Sequence, residues 1–231
     1  MRRLFLSLIL VAAFPAIALA SETIGFKEMQ LPDKEGSRPL HVALWYPTDD
    51  QGRQEAVAEN PVFIGVDVVK AAQPASGAHP LVVLSHGYGG SWRNLSWLAA
   101  ALASQGYVVA APDHPGTTTF DRDPAKAASL WERPRDLSRV IDAVSTDQQI
   151  ARGRIAAIGH SLGGWTVTEL AGGRFEAARV TRDCLTQFGP VTCKLFTELG
   201  AGDDANAKLA GDLRDPRVGA AVTLDLGPAR G

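Results

Sequence analysis

From residue 81 onward, short unbroken apolar runs alternate with segments whose apolar residues recur every three or four positions. Leu81–Val82–Val83–Leu84–Ser85, Tyr107–Val108–Val109–Ala110–Ala111 and Arg154–Ile155–Ala156–Ala157–Ile158 are the short runs, and Val218–Leu226 is a later one. Strands that lack polar alternation are buried on both faces, as in a parallel sheet. Leu95, Leu98, Ala99, Leu102 and Ala103 predict a helix that Gly106 stops. Leu130, Leu137, Val140, Ile141 and Val144 predict a second, and a third follows residue 161. This alternation predicts an α/β fold, a mostly parallel sheet with helices on both faces. Upstream, Thr23–Phe26 and Leu40–Tyr46 read as an antiparallel pair at a sheet edge, and residues 49–80 as a long surface excursion.

Composition narrows this little. A chain of 231 residues with 45% hydrophobic content supports one sizeable core, and a net charge of −2 without an internal basic run argues against nucleic-acid binding. The N-terminus matters more. Arg2–Arg3, an apolar stretch from Leu4 and an Ala18–Leu19–Ala20 cleavage site read as a secretory signal over residues 1–20. Pro15 interrupts the apolar run, so no stable membrane anchor is expected once the signal is removed. Export to a periplasm or beyond makes Cys184 and Cys193 a candidate disulfide, with free thiols the alternative. Two thiols without a nearby histidine do not make a metal site, and nothing calls for a cofactor.

The chemistry centres on Gly159–His160–Ser161–Leu162–Gly163–Gly164. An apolar strand leading into Gly-x-Ser-x-Gly and then a helix is the form of a nucleophile elbow, in which a tight turn lifts a serine hydroxyl above the sheet. The crowded turn requires small residues two before and two after the serine, and Gly159 and Gly163 meet that demand. In a parallel sheet, ligands bind beyond the carboxyl ends of the strands. The His86–Gly90 loop, the Asp113–Thr119 loop and the Ser161 turn all fall at that edge. His86, Gly87, Gly89 and His114 are therefore expected to line a pocket, with His86 bracing its loop by hydrogen bonding. Residues 173–215, where the periodicity loosens, read as an insertion or lid within a domain spanning 21–231.

Three segments, Leu84–Gly90, Leu102–Gly116 and Gly159–Gly164, resemble in order and spacing the α/β-hydrolase superfamily, and more narrowly its bacterial dienelactone-hydrolase-like and platelet-activating-factor-acetylhydrolase-like esterases. The resemblance implies an α/β-hydrolase fold and Ser161 as nucleophile. It also implies an oxyanion hole from the backbone N–H groups of Tyr88 and Leu162, and a small-molecule ester as substrate. Fixed N–H donors of that kind stabilise the charge on a tetrahedral intermediate by about 3 kcal/mol each.

One element of the pattern breaks. A serine needs a base, and the superfamily order is serine, acid, histidine. His41, His79, His86, His114 and His160 all precede Ser161. The last strand–helix units of such a sheet are also missing after Val218, so the chain reads as C-terminally truncated. Asp225, at the end of the last strand, is the candidate acid, or a strand-terminal aspartate without a catalytic role. His114 is the stand-in base to weigh, two strands from the elbow. Two classes of function follow: a serine esterase on Ser161, impaired in this form and with polyester or cutinase-like substrates as a variant, or a non-catalytic binding protein on the same fold.

Overall fold

The computed structural model describes residues 23–33, 36–146, 150–187, 189–201 and 207–225. The leader expected over residues 1–20 lies outside them. Eight strands form one mixed sheet: β1 (Ile24–Leu31), β2 (Leu40–Pro47), β3 (Gln54–Val57), β4 (Val66–Lys70), β5 (His79–Ser85), β6 (Val108–Asp113), β7 (Ile150–His160) and β8 (Val218–Leu224). Their spatial order is β3-β4-β1-β2-β6-β5-β7-β8. The β6-β5-β7-β8 half is parallel throughout, and β2 joins it antiparallel through β6.

Strands β5 and β6 sit in the middle of the sheet, which is why their sequences carry almost no polar residue. The β1–β2 pair forms as the sequence predicts, yet it is not an edge, because the β3–β4 hairpin adds two strands beyond it. Residues 49–80 therefore contribute to the sheet. At the opposite margin, β8 pairs only with β7 among the described residues, and Gly219–Thr223 are solvent-exposed.

Helices cover both faces. On one, α1 (Ser96–Ser104) packs Ala99 and Ala103 against Val82, Leu84, Val109 and a cluster of Phe26, Trp45 and Trp92. On the other, α3 (Glu132–Ser145), preceded by the single turn α2 (Pro124–Ala127), and α4 (Leu162–Leu170) bury Leu137, Val140, Ile141, Val167 and Leu170 against Leu81, Val83 and Ala110. A third cluster contains Leu130, Trp131, Leu199, Leu209 and Leu213, against which Leu162 and Trp165 pack. Beyond it, α5 (Ala177–Thr186) and α6 (Pro190–Glu198) bury no residue fully and are joined by the Cys184–Cys193 disulfide, whose Cα atoms are 5.6 Å apart. No helix among the described residues is long and apolar enough to cross a membrane.

Candidate active site

Ser161 stands between the last residue of β7 and the first of α4, with φ 52° and ψ −120°. A serine holds such angles only where its surroundings over-determine them, at a cost on the order of 1–3 kcal/mol. Two close approaches do so here. A Cβ on Gly159 would lie 1.9 Å from the carbonyl oxygen of Gly163, and one on Gly163 would lie 1.9 Å from that of Ser85. The backbone at 163 thus rests directly on the end of β5, which is why the flanking positions are glycine.

This contact brings the serine to the loop after β5. A Cβ on Gly87 would sit 3.2 Å from Ser161 Cβ and 3.3 Å from His160 Nδ1. The loop is tied back to the segment after β6, where Gly89 N–H donates to Thr117 O at 2.8 Å and Thr119 N–H to Gly90 O at 2.8 Å. Tyr88 is 42% exposed. Among the described residues, neither the Tyr88 amide nor the Leu162 amide donates a hydrogen bond. Leu162 opens α4, so the positive end of that helix faces the serine. A half-buried serine, a glycine loop against it and two uncommitted amides on the adjoining segments are the parts that attack on an acyl carbonyl requires.

On the other side of Ser161, its N–H donates to Leu224 O at 3.0 Å. Asp225 follows immediately, exposed and with φ 50°. It lies at the catalytic edge of the strand next to the elbow.

The histidines are arranged otherwise than the sequence suggests. His86 and His114, expected at the pocket wall, are sealed inside, 1% and 0% exposed. Their neighbours explain the inward turn. His114 N–H donates to His86 Nε2 at 3.0 Å, so that nitrogen is bare and His86 Nδ1–H donates to Gly87 O at 2.7 Å. His114 Nδ1–H donates to Asp136 Oδ2 at 2.9 Å, and His114 Nε2 accepts from Ser85 Oγ at 3.0 Å. Asp136 is gripped in turn by Arg38 through two bonds of 2.8 and 2.7 Å. The order Ser85–His114–Asp136 copies the hydrogen bonding of a hydrolytic triad, but Ser85 is wholly buried and no substrate reaches it.

Burial holds both rings well below the usual histidine range, with the nearby Arg133 charge acting the same way, so both are neutral at pH 7. Burial also pushes Asp136 up, against the pull of Arg38. His114 is therefore engaged with a partner serine other than Ser161. His79 bonds Gly106 O, His41 lies between Glu28 and Asp113, and His160 is exposed. No hydrogen bond joins Ser161 Oγ to any of the five histidines.

Arg133, Asp136, Thr117 and Thr166 were not singled out in the sequence. For Arg133 and Asp136 a signal exists: residues 133, 136, 137, 140, 141 and 144 form the buried stripe of α3, and two of them are charged. Charged residues on a core stripe imply a buried polar network.

The family profile described as "Serine aminopeptidase, S33" matches residues 76–188. The solved ferulic acid esterase from Streptomyces cinnamoneus superposes with a TM-score of 0.55 and 30% identity, over 68% of this chain and 56% of that one. The chain has the α/β-hydrolase fold. Two curated relatives of the chain are a cutinase and a hydrolase by name. A cutinase, est1 of Thermobifida alba, is 33% identical over 40% of this chain and 30% of its own length. A bis(hydroxyethyl) terephthalate hydrolase of Streptomyces coelicolor is 30% identical over 56% of this chain and 38% of its own. The chain thus spans about a third of the length of these two curated relatives.

Proposed function

We propose that this α/β-hydrolase is an exported serine esterase core, forming an acyl-enzyme on Ser161 with carboxylic esters. The observation that carries the reading is the strained Ser161, seated against Gly87 with the Tyr88 and Leu162 amides uncommitted. In the reaction Ser161 Oγ attacks the ester carbonyl carbon, the carbonyl oxygen takes the negative charge, and the two amides receive it. Collapse of that intermediate breaks the bond to the alkoxide, which leaves as the alcohol carrying the proton given up by Ser161 Oγ. Asp225 is the acid of this reading, because it ends the strand beside the elbow. Residues 173–215 are its lid in this reading, since Leu162 and Trp165 pack against a cluster that Leu199, Leu209 and Leu213 share with Leu130 and Trp131. The signal-like N-terminus and the disulfide favour an oxidising, exported setting.

The proton of Ser161 Oγ has no histidine acceptor among the described contacts, and loss of a triad base costs on the order of a millionfold in kcat. The expected behaviour is slow covalent capture and little turnover, because a base serves both the attack and the release. A fluorophosphonate probe is expected to label the full chain at Ser161 and leave Ser161→Ala unlabelled. Equal labelling of the two would remove Ser161 from the mechanism. The names of the curated relatives favour aromatic or polymeric esters as the substrate class, to be checked by release of soluble acid from a polyester film. A non-catalytic binding role on the same fold is the second reading, favoured by the engagement of His86 and His114 elsewhere. Reversible binding of an ester without labelling would support it.

A further inference from the structure

The proposed oxyanion donors lie on two separate segments, the loop after β5 and the first turn of α4, and something must hold the two in register. We propose that Arg133 is that positioning residue, clamping the oxyanion loop to the nucleophile helix; the proposal deepens the esterase reading and rests on it.

The guanidinium is 1% exposed and reaches acceptors on three segments. Its Nε–H donates to Thr166 Oγ1 on α4 at 2.9 Å. Nη1 donates to Thr117 Oγ1 in the loop after β6 at 2.6 Å, and Nη2 donates to Ser85 Oγ at 3.2 Å and to the carbonyl oxygen of His86. Each link leads onward to a proposed donor. The His86 carbonyl belongs to the peptide entering Gly87, and Tyr88 is the next residue. Thr166 Oγ1 donates to Leu162 O at 2.9 Å, in the residue whose amide is the second donor. Thr117 O accepts the Gly89 amide at 2.8 Å and fixes the far side of the same loop. A planar fork bonded in this way transmits a fixed spacing, which a flexible ammonium cannot do.

The energetics point the same way. Every direct acceptor of Arg133 is a neutral oxygen, with no carboxylate at ion-pair distance among the described residues. Burial draws its pKa down to about 9, so it remains cationic at neutral pH. A sealed cation held by hydroxyls and one carbonyl is a poor stabiliser compared with an apolar side chain of its size. Its worth lies in what it holds in place.

The test uses the full-length chain and the variants Arg133→Lys, Thr117→Val and Thr166→Val, the last two each removing one acceptor. Amide hydrogen exchange is read at Gly89 and Gly90 in the loop, at Gly164 and Trp165 on α4, and in β5 and β6 as internal reference. Arg133→Lys is expected to speed exchange at all four loop and helix amides about tenfold, as loss of one hydrogen bond implies, with β5 and β6 unchanged. Thr117→Val is expected to move Gly89 and Gly90 alone, and Thr166→Val Gly164 and Trp165 alone. Should Arg133→Lys not fold, the two valine variants decide the matter. Unchanged exchange at these amides, or a rise matched in β5 and β6, overturns the clamp.

The second readout is fluorophosphonate labelling over a range of probe concentrations. The maximal rate is expected to drop about tenfold to a hundredfold, as misplacement of reacting groups does, while the half-saturating concentration stays within about twofold. A variant that shifts only half-saturation, or labels as wild type does, refutes positioning. If the unmodified chain is not labelled at all, the esterase reading fails, and the exchange data still decide whether Arg133 holds the two segments together.

Discussion

Glu169 lies on α4, two turns beyond Ser161, 3% exposed and with Oε2 lacking any hydrogen-bond partner among the described residues. Burial lifts its carboxyl to about 7, opposed only by the Arg174 charge. Substituting Glu169→Gln keeps the shape and removes the titration. In the unfolded chain the carboxyl titrates near 4.5, so between pH 4.5 and 7 the unfolded state sheds the proton first and wild-type stability falls as pH rises. Across that window the loss accrues at about 1.4 kcal/mol per pH unit, to a ceiling of about 3 kcal/mol, and about 2 kcal/mol where water reaches the carboxyl. Urea unfolding of both proteins at pH 4.5, 6, 7 and 8 isolates the effect, because every other group cancels in the difference. The variant is expected to gain on wild type steadily up to pH 7 and then hold level. A difference that stays constant from pH 4.5 to 8 refutes the argument that this carboxyl is held in a dry, unpartnered setting.

Three further outcomes follow from the geometry. In the Glu169→Gln background, stability is expected to fall as pH drops below about 6.5, since His86 and His114 resist protons only when folded; a flat urea midpoint from pH 6.5 to 5 contradicts this. Gly163→Ala drives a methyl into the Ser85 carbonyl and is expected to cost about 3 kcal/mol or prevent folding, measured by urea titration; a loss under about 1 kcal/mol refutes the contact. Reducing Cys184–Cys193, which are nine residues apart, is expected to lower the local stability of the α5–α6 pair by about 2.5 kcal/mol, seen as faster amide exchange there with the sheet unaffected. Parallel loosening of β5 would show that the hairpin supports the core.

The legible part of this protein is the part that physics makes repetitive. β5, β6 and β7 announce themselves because central parallel strands tolerate few polar residues, and the elbow does so because its turn admits only glycine around the serine. β3 and β4 are hard to read from sequence because an outlying hairpin of four and five residues that buries only Val57, Val68 and Val69 needs no long apolar run. His114 was placed in the right loop with the wrong orientation. Which way its ring turns depends on Asp136 and Ser85, 22 and 29 residues distant in sequence. Such pairings are set by tertiary packing, and local pattern carries no trace of them beyond two charges on an otherwise apolar helical stripe.

The open flank of β8 has a practical meaning. Among the described residues, the seven of β8, small and aliphatic in character, are paired on one side only, and a row of backbone amides and carbonyls left without a partner strand is a template for an extended chain. Strand-to-strand sticking between molecules would grow with concentration, independent of ester chemistry. Charged residues at the exposed Ala220 or Val222 would show how far this strand drives such association.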